Sequence, residues 1–242
     1  MADPPKPACP LARRRVICQP MTRAKPLILA ALTALAALPA AAHPHIFIDT
    51  GQQLIFDDTG QLAAIRTIWI YDEFYSLLTL EDRGLDPDGD GLLTPAEHQT
   101  LAGFDMNWDA GFDGDTYALQ NDQPLKLSRP VEFNAEYKDG KIITTHLRAF
   151  ESRVDLAQGP VVIKAYDPTY YTAYTIAIPA KIENRTGCTA PIFTPDPTKA
   201  SAQLMAALSE LNATQTLDDL QTESFPAIGE DFAQFLTLTC KP

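Results

Sequence analysis

Asp86-Pro-Asp-Gly-Asp-Gly-Leu-Leu-Thr-Pro-Ala-Glu97 is a twelve-residue stretch that matches the calcium-binding loop of an EF-hand. Aspartates stand at its first, third and fifth positions, and Gly91 stands at the sixth, where the backbone must turn sharply. The motif predicts these calcium ligands: Asp86, Asp88, Asp90, the Leu92 carbonyl, Thr94 through a water molecule, and Glu97. Four carboxylates in so short a stretch repel one another without a cation, which favours Ca²⁺ binding over a merely solvated acidic loop.

The segments on either side of this loop predict the two helices of an EF-hand. Residues 72–82 have the pattern of the entering helix, and Thr94 with Glu97 forms a T-x-x-E capping box for an exiting helix over residues 95–101. The i, i+3, i+4 spacing predicts that one apolar stripe of the entering helix is buried: Phe74, Leu77 and Leu78. The next acidic segment, from Asp105, has Ala110 where glycine is needed. A solitary loop is therefore expected, with a structural calcium ion rather than a sensing one.

The N-terminal 42 residues have the pattern of a secretory signal peptide with an upstream extension. A basic segment from Met21 precedes the apolar run Leu27–Leu38, and Ala40-Ala41-Ala42 is a small-residue cleavage site. We therefore expect residues 1–20 to be an extension before the true start at Met21, cleavage after Ala42, and a periplasmic protein. No later segment approaches membrane-spanning length, so the cleaved protein is not expected to span a membrane.

The net charge indicates the class of partner, and the cysteine content agrees with export. The formal net charge is −12, and removing the six basic residues and one acidic residue of segment 1–42 leaves −17 for residues 43–242. A polyanion such as nucleic acid would be repelled, so cations are the expected partners. Cys188 and Cys240 remain after cleavage, and we predict a disulfide between them, worth roughly 4 kcal/mol on the chain-entropy model. Thiol ligation of a metal is the alternative, but no CxxC spacing supports it.

The remaining pattern predicts an α+β fold: an antiparallel β-sheet or sandwich with an inserted EF-hand helical hairpin and a C-terminal helical segment. Hairpins are expected around the turns Asp57–Gly60 and Lys138–Gly140, and Asp167-Pro168 ends a later strand. We expect a β-rich domain over residues 43–187, the helical insert at 72–104, and a helical tail over 188–242 tied back by the disulfide.

A second metal site is predicted at the start of the cleaved chain. Imidazoles two residues apart on a strand point to the same face, so His43 and His45 would share a transition metal such as Zn²⁺, Ni²⁺ or Cu²⁺. The alternative is two solvated histidines at a frayed end. Three nearby acids are candidates to complete the site: Asp72, Glu73 and Asp167. Each also has a structural alternative, since Asp72-Glu73 suits a helix N-terminus and Asp167-Pro168 suits a turn. His98 and His146 are expected at the surface.

The chain lacks the sequence signatures of common enzyme classes, among them G-x-S-x-G, H-E-x-x-H and the P-loop. We therefore expect a protein that is not an enzyme. The weakest alternative is an exported hydrolase that uses Asp72 or Glu73.

Four motifs occur together, in the order His43–Asp49, Trp69–Ser76, Asp86–Glu97 and Tyr166–Tyr171. With them the chain resembles an uncharacterised family of bacterial periplasmic proteins, described as the periplasmic component of an uncharacterised ABC-type transport system. That family is often found with nickel/cobalt or zinc transporters, so the resemblance implies location and metal context. The expected function is a periplasmic metal-binding accessory protein that holds calcium structurally and delivers or buffers a transition metal for an inner-membrane transporter. The alternative is a calcium-stabilised docking module without a transition-metal site.

Overall fold

The computed structural model describes residues 44–214 and 227–241. The expected extension and signal peptide, and His43, lie outside these residues. In chain order, the helices and strands are β1 (Ile46–Phe56), β2 (Leu62–Tyr71), α1 (Glu73–Arg83), α2 (Pro95–Leu101), β3 (Thr116–Gln120), β4 (Gln123–Leu125), β5 (Val131–Lys138), β6 (Lys141–Val154), a 3-10 turn (Leu156–Gln158), β7 (Val161–Ala165), β8 (Thr172–Ile176), β9 (Lys181–Glu183), β10 (Cys188–Thr189), β11 (Ile192–Phe193), α3 (Pro197–Thr214), α4 (Gly229–Phe232) and β12 (Gln234–Cys240).

The strands of the described residues form two six-stranded sheets. The first has the order β5-β6-β2-β1-β8, and β9 also pairs with β1; the second has the order β10-β12-β7-β3-β4, and β11 also pairs with β12. Both predicted hairpins are confirmed, as β1 pairs with β2 and β5 pairs with β6, each antiparallel. The β5–β6 turn has positive φ at both Asp139 (52°) and Gly140 (79°), as a type I′ hairpin turn requires.

The predicted antiparallel sheet is mixed at one edge, where β8 and β9 run parallel to β1. The preceding strand, β7, belongs to the second sheet. The chain therefore crosses from one sheet to the other before β8, and no hairpin fixes the direction in which β8 arrives. The fold is α+β with one mixed sheet.

The two sheets share a hydrophobic core. Leu54, Phe56 and Ile65 of the first sheet pack in one cluster with Ile163 and Leu236 of the second. These residues alternate with more exposed ones along their strands, as expected for strands with one buried face.

A second cluster lies where the helical hairpin meets the first sheet. Trp69, Tyr71 and Ile142 of the sheet pack there with Leu80 of α1 and Leu101 of α2. The hairpin is thus fastened to the sheet through one apolar residue from each helix.

The predicted burial of the stripe on α1 is wrong. Phe74, Leu77 and Leu78 are exposed, and the residues that α1 buries are Ser76, Thr79 and Leu80. The cause lies in hydrogen bonds to the sheet: Asp72 accepts the Phe47 N–H at 2.9 Å, and Ser76 Oγ accepts the Ile142 N–H at 2.9 Å. These bonds turn the small polar face of α1 inward.

Residues after Cys188 contribute to the second sheet as well as supplying the predicted helix, α3. β12 pairs with β7 and brings Leu236 and Leu238 into the shared core. Cys188 and Cys240 are register neighbours, and the predicted disulfide between them is present. The segment is therefore more than a helical tail, because its last strand completes a core. Within residues 44–214 and 227–241, no helix has the length and apolar character needed to cross a membrane.

Candidate functional site

The loop between α1 and α2 curls around the carboxylate of Asp86. α1 ends at Gly84, whose φ of 63° is the left-handed conformation typical of a helix C-cap. Two backbone N–H groups, from Asp90 and Gly91, then donate to the Asp86 carboxylate at 3.1 Å each. Gly91 has a φ of 76°, which residues with a Cβ rarely adopt. The backbone therefore closes around the first acidic residue of the loop.

The three aspartates of the loop converge. Asp86, Asp88 and Asp90 each offer a carboxylate oxygen, and these oxygens lie within 4.8 Å of one another. Asp88, Asp90, Leu92, Thr94 and Glu97 also line one cavity of about 260 Å³ beside them. Oxygen-rich groups of this kind suit Ca²⁺, which takes six to eight oxygen ligands. The arrangement fits a hard divalent cation.

Glu97 links the two ends of the loop. Its Oε2 accepts hydrogen bonds from the backbone N–H and the hydroxyl of Thr94, both at 2.7 Å, and the predicted capping box is confirmed. Its Oε1 accepts the Asp86 N–H at 3.1 Å. The hydrogen bonds from Thr94 are the main cause that lowers the pKa of Glu97. The closing carboxylate is thus held against the backbone of Asp86 at the start of α2.

The backbone of His45 and two of the predicted acids lie at the N-terminal end of β1, but the three side chains do not form a close metal-binding group. The His45 N–H donates to the Tyr171 carbonyl at 2.8 Å, and the two side-chain rings lie 4.7 Å apart. Asp167 Oδ2 accepts the N–H of Thr172, whose register partner in β1 is Ile46. Asp72, bound to the Phe47 N–H, holds the same end of β1 from the α1 side.

Asp72 and Asp167 also have the structural roles expected as alternatives to metal binding, one at a helix N-terminus and one in a turn. Asp72 is the N-cap of α1 and accepts the Tyr75 N–H at 2.8 Å, and Asp167 accepts the Thr169 N–H and hydroxyl within its turn. Glu73 instead lies beside the β5–β6 turn. A Cβ added at Gly140 in that turn would be 3.8 Å from the Cγ atom of Glu73. In the described part of the chain, the only close group of three or more metal-binding side chains is that of Asp86, Asp88 and Asp90.

Sequence reasoning missed a buried polar cluster between the two hydrophobic clusters. Gln52, Thr67 and His146 are register neighbours across β1, β2 and β6, and all three are buried. His146 is fully buried, so its expected surface position is wrong; its side chain shares the inward face of β6 with Thr144 and Arg148. Neither ring nitrogen of His146 has a hydrogen-bond partner among the described residues. Burial is the main cause that lowers the pKa of His146 to about 3, and the charges of Arg148 and Arg66 add to it.

Two carboxylates border this cluster, one on half-buried Asp105 and one on buried Asp115. Asp105 accepts hydrogen bonds from the Tyr71 and Thr144 hydroxyls at 2.8 Å, and Asp115 accepts one from the Tyr174 hydroxyl at 2.8 Å. Burial raises the pKa of Asp105 and raises that of Asp115 to about 7. Both carboxyls therefore hold a proton more tightly than they would in water.

Arg148 joins the cluster to a cavity of about 560 Å³. Its guanidinium donates to the carbonyls of Ser128, Asp113 and Thr116 and lies 5.1 Å from the Trp108 ring. The alternation of β6 was the one sequence signal for this buried face, because Thr144, His146 and Arg148 occur at every second position. Polar residues at an inward register are read as surface residues when only hydrophobicity is considered.

Together, the fold and the site define an α+β protein built on two facing sheets, with an acidic helix–loop–helix inserted after the first hairpin. The chain belongs to the family described as "Protein of unknown function (DUF1007)", whose family model matches residues 28–240. A comparison with curated proteins found no match.

Proposed function

We propose that this protein is a periplasmic metal-binding accessory protein whose loop at residues 86–97 binds one structural Ca²⁺. The observation that carries the proposal is the convergence of three aspartate carboxylates within 4.8 Å of one another. Glu97, which lines the same cavity as Asp88 and Asp90, would supply the fourth carboxylate. Three or four carboxylates around one point favour a divalent cation strongly, because their mutual repulsion is relieved when it binds.

The calcium ion would act on the fold by joining α1 to α2. The loop is flanked by Leu85 and Leu101, which are buried in the cluster that also holds Trp69. An ion bound between the helices would hold both leucines in register with the sheet. Binding to the folded state alone stabilises that state by mass action.

A transition metal, Zn²⁺, Ni²⁺ or Cu²⁺, is the second part of the proposal, with His45 and His43 as ligands at the start of β1. Support comes from the spacing of His43 and His45 in the sequence and from two carboxylates bound to the backbone near the start of β1: Asp72 on the Phe47 N–H and Asp167 on the Thr172 N–H. Imidazole with carboxylate is a donor set that these metals accept. An exposed site of this kind suits transfer of the metal to a membrane transporter more than permanent storage.

Export to the periplasm is supported by the disulfide between Cys188 and Cys240, because disulfides persist in oxidising compartments. The net charge of −17 over residues 43–242 is also suited to a protein that attracts cations.

Calorimetric titration tests the two metal sites separately. Calcium should bind with a stoichiometry near one. The double variant Asp88→Asn/Asp90→Asn should show no heat of calcium binding, whereas Glu136→Gln, at an exposed residue of β5, should show the same heat as the wild type. Zinc and copper should bind the wild type and fail to bind His43→Ala/His45→Ala, with calcium uptake intact in that variant. No calcium heat at millimolar concentration would refute the calcium site, and equal zinc binding by both proteins would refute the histidine site.

A further inference from the structure

The outward face of α1 is apolar at its centre. Phe74, Leu77 and Leu78 are 68%, 51% and 39% exposed, and they are neighbours at i, i+3 and i+4 on the helix. Scattered exposed apolar residues are normal, but three on one helix face form a contiguous patch.

Hydrogen bonds between the inner face of α1 and the first sheet keep this apolar patch exposed to solvent. Asp72, the N-cap, is bound to the Phe47 N–H, and Ser76 Oγ is bound to the Ile142 N–H one turn later. Leu80, a further turn along, is buried in the core. Rotating α1 to bury Leu77 and Leu78 would break both hydrogen bonds and expose Leu80. The exposed apolar face is therefore a stable property of the fold.

Carboxylates lie at both ends of the apolar patch. Glu73 and Glu81 lie one turn before and after Leu77, and Asp82 lies one turn after Leu78; all three are exposed. Arg83, at the C-terminal end of α1, lies 5.3 Å from the Phe104 ring and lines a cavity beside the patch. The face therefore combines an apolar centre with an acidic rim.

A cavity of about 470 Å³ adjoins the patch. It is lined by apolar, acidic and basic side chains: Tyr75, Leu78, Thr79, Asp82, Arg83, Phe104 and Asp105. Interfaces gain most of their affinity from a few large side chains inserted into such pockets. One apolar side chain of a partner would fit against Leu78 in this cavity, whereas the Arg83 guanidinium beside the Phe104 ring would repel a second cation there.

We propose that the outward face of α1 is a docking site for a partner protein segment that carries apolar side chains flanked by lysine or arginine. The acidic rim selects this occupant, because an anionic lipid surface would be repelled by Glu73, Glu81 and Asp82. A second copy of the chain would bring the same carboxylates against each other. A basic partner gains from both the rim and the overall negative charge of the protein, which accelerates its association.

Fluorescence anisotropy with synthetic peptides tests the proposal. The probe is a labelled helical peptide of about 18 residues, with leucines at every third or fourth position and lysines elsewhere. A scrambled peptide of the same composition has the same charge and no apolar face, and a third peptide carries glutamate in place of lysine. The wild type should bind the first peptide at least about tenfold more tightly than the scrambled one and should not bind the third.

Variants then locate the binding surface. Leu77→Ser/Leu78→Ser should weaken binding by about tenfold or more, because it removes two apolar contacts, and Glu81→Gln/Asp82→Asn should weaken it and reduce its dependence on salt. Met205→Ser, at an exposed apolar residue of α3, and Glu136→Gln, at an exposed acid of β5, are the matched controls. Equal binding of the helical and scrambled peptides, or unchanged binding by the Leu77/Leu78 variant with wild-type circular dichroism, would overturn the proposal.

Discussion

The hydroxyl of Ser76 in α1 accepts a hydrogen bond from the backbone N–H of Ile142 in β6, with the nitrogen and oxygen 2.9 Å apart. Both residues are completely buried. Because the bond crosses from helix to sheet, it fixes the rotation of α1 about its own axis. The helix therefore buries a small polar residue and leaves its larger apolar residues in solvent.

Ser76→Ala should destabilise the protein by about 1–3 kcal/mol, because the Ile142 N–H would be left buried without an acceptor. Urea unfolding measures the change. Thr100→Ala is the control, since that hydroxyl is exposed and bonds only to its own helix, at the Ala96 carbonyl. A loss no larger than that of the control would mean that the bond does not determine the orientation of α1.

Glu97→Gln and Glu97→Ala should separate calcium binding from helix capping. Glutamine keeps an oxygen that accepts from Thr94, so without calcium its melting temperature should stay near that of the wild type, while the alanine variant should melt lower. Calcium at a hundred times its Kd stabilises by about 2.7 kcal/mol, or roughly 5–10 °C in melting temperature, and both variants should lose most of this gain. Thermal scans with calcium and with chelator provide the test, and a full calcium response in Glu97→Gln would contradict the ligand role.

Asp115→Asn should change how stability depends on pH. The pKa of Asp115 is raised to about 7 in the folded protein, mainly by burial, whereas an unfolded aspartate titrates near pH 4. The folded state therefore binds the proton more tightly between those values, and the stability that Asp115 contributes falls as pH rises from about 4 to about 7. Between pH 4 and pH 8, the free energy of unfolding of the asparagine variant should therefore rise relative to that of the wild type by about 2–4 kcal/mol.

Urea unfolding across this pH range measures the Asp115 effect. Asn also tolerates the positive φ of 48° at this position and keeps an acceptor for the Tyr174 hydroxyl. Asp57→Asn is the contrasting control, because hydrogen bonds, chiefly from Thr59, lower the pKa of Asp57. Its effect on the pH dependence of stability should therefore have the opposite sign. Parallel curves for wild type and Asp115→Asn would show that Asp115 does not titrate differently in the folded state.

Removing the disulfide with Cys188→Ser/Cys240→Ser should cost about 2–4 kcal/mol, because the bond closes a loop between residues 52 positions apart. Reduced wild type should unfold with the same midpoint as the double variant. Mass spectrometry without reductant should find no free thiol at either residue, and two alkylated cysteines there would contradict the bond.

Local signals predicted the parts of this protein that depend on neighbouring residues. The I′ turn at Asp139-Gly140, the capping box of Thr94 and Glu97, and the alternation along β1 and β2 were all readable, because each reflects contacts within a few residues. The Cys188–Cys240 pair was predicted by elimination. The spacing of Asp86, Asp88 and Asp90 likewise predicted carboxylates that converge on one point.

The tertiary structure alone decided which faces are buried. Phe74, Leu77 and Leu78 have the spacing of a buried stripe, yet the distant contacts of Ser76 and Asp72 with the sheet turn them outward. His146 looked like a surface residue, yet its register beside Thr67 places it between two hydrophobic clusters. Helical and strand periodicity indicates which residues share a face. The partners that cover that face come from remote parts of the chain, and hydrogen bonds to those partners decide which face of the helix or strand is buried.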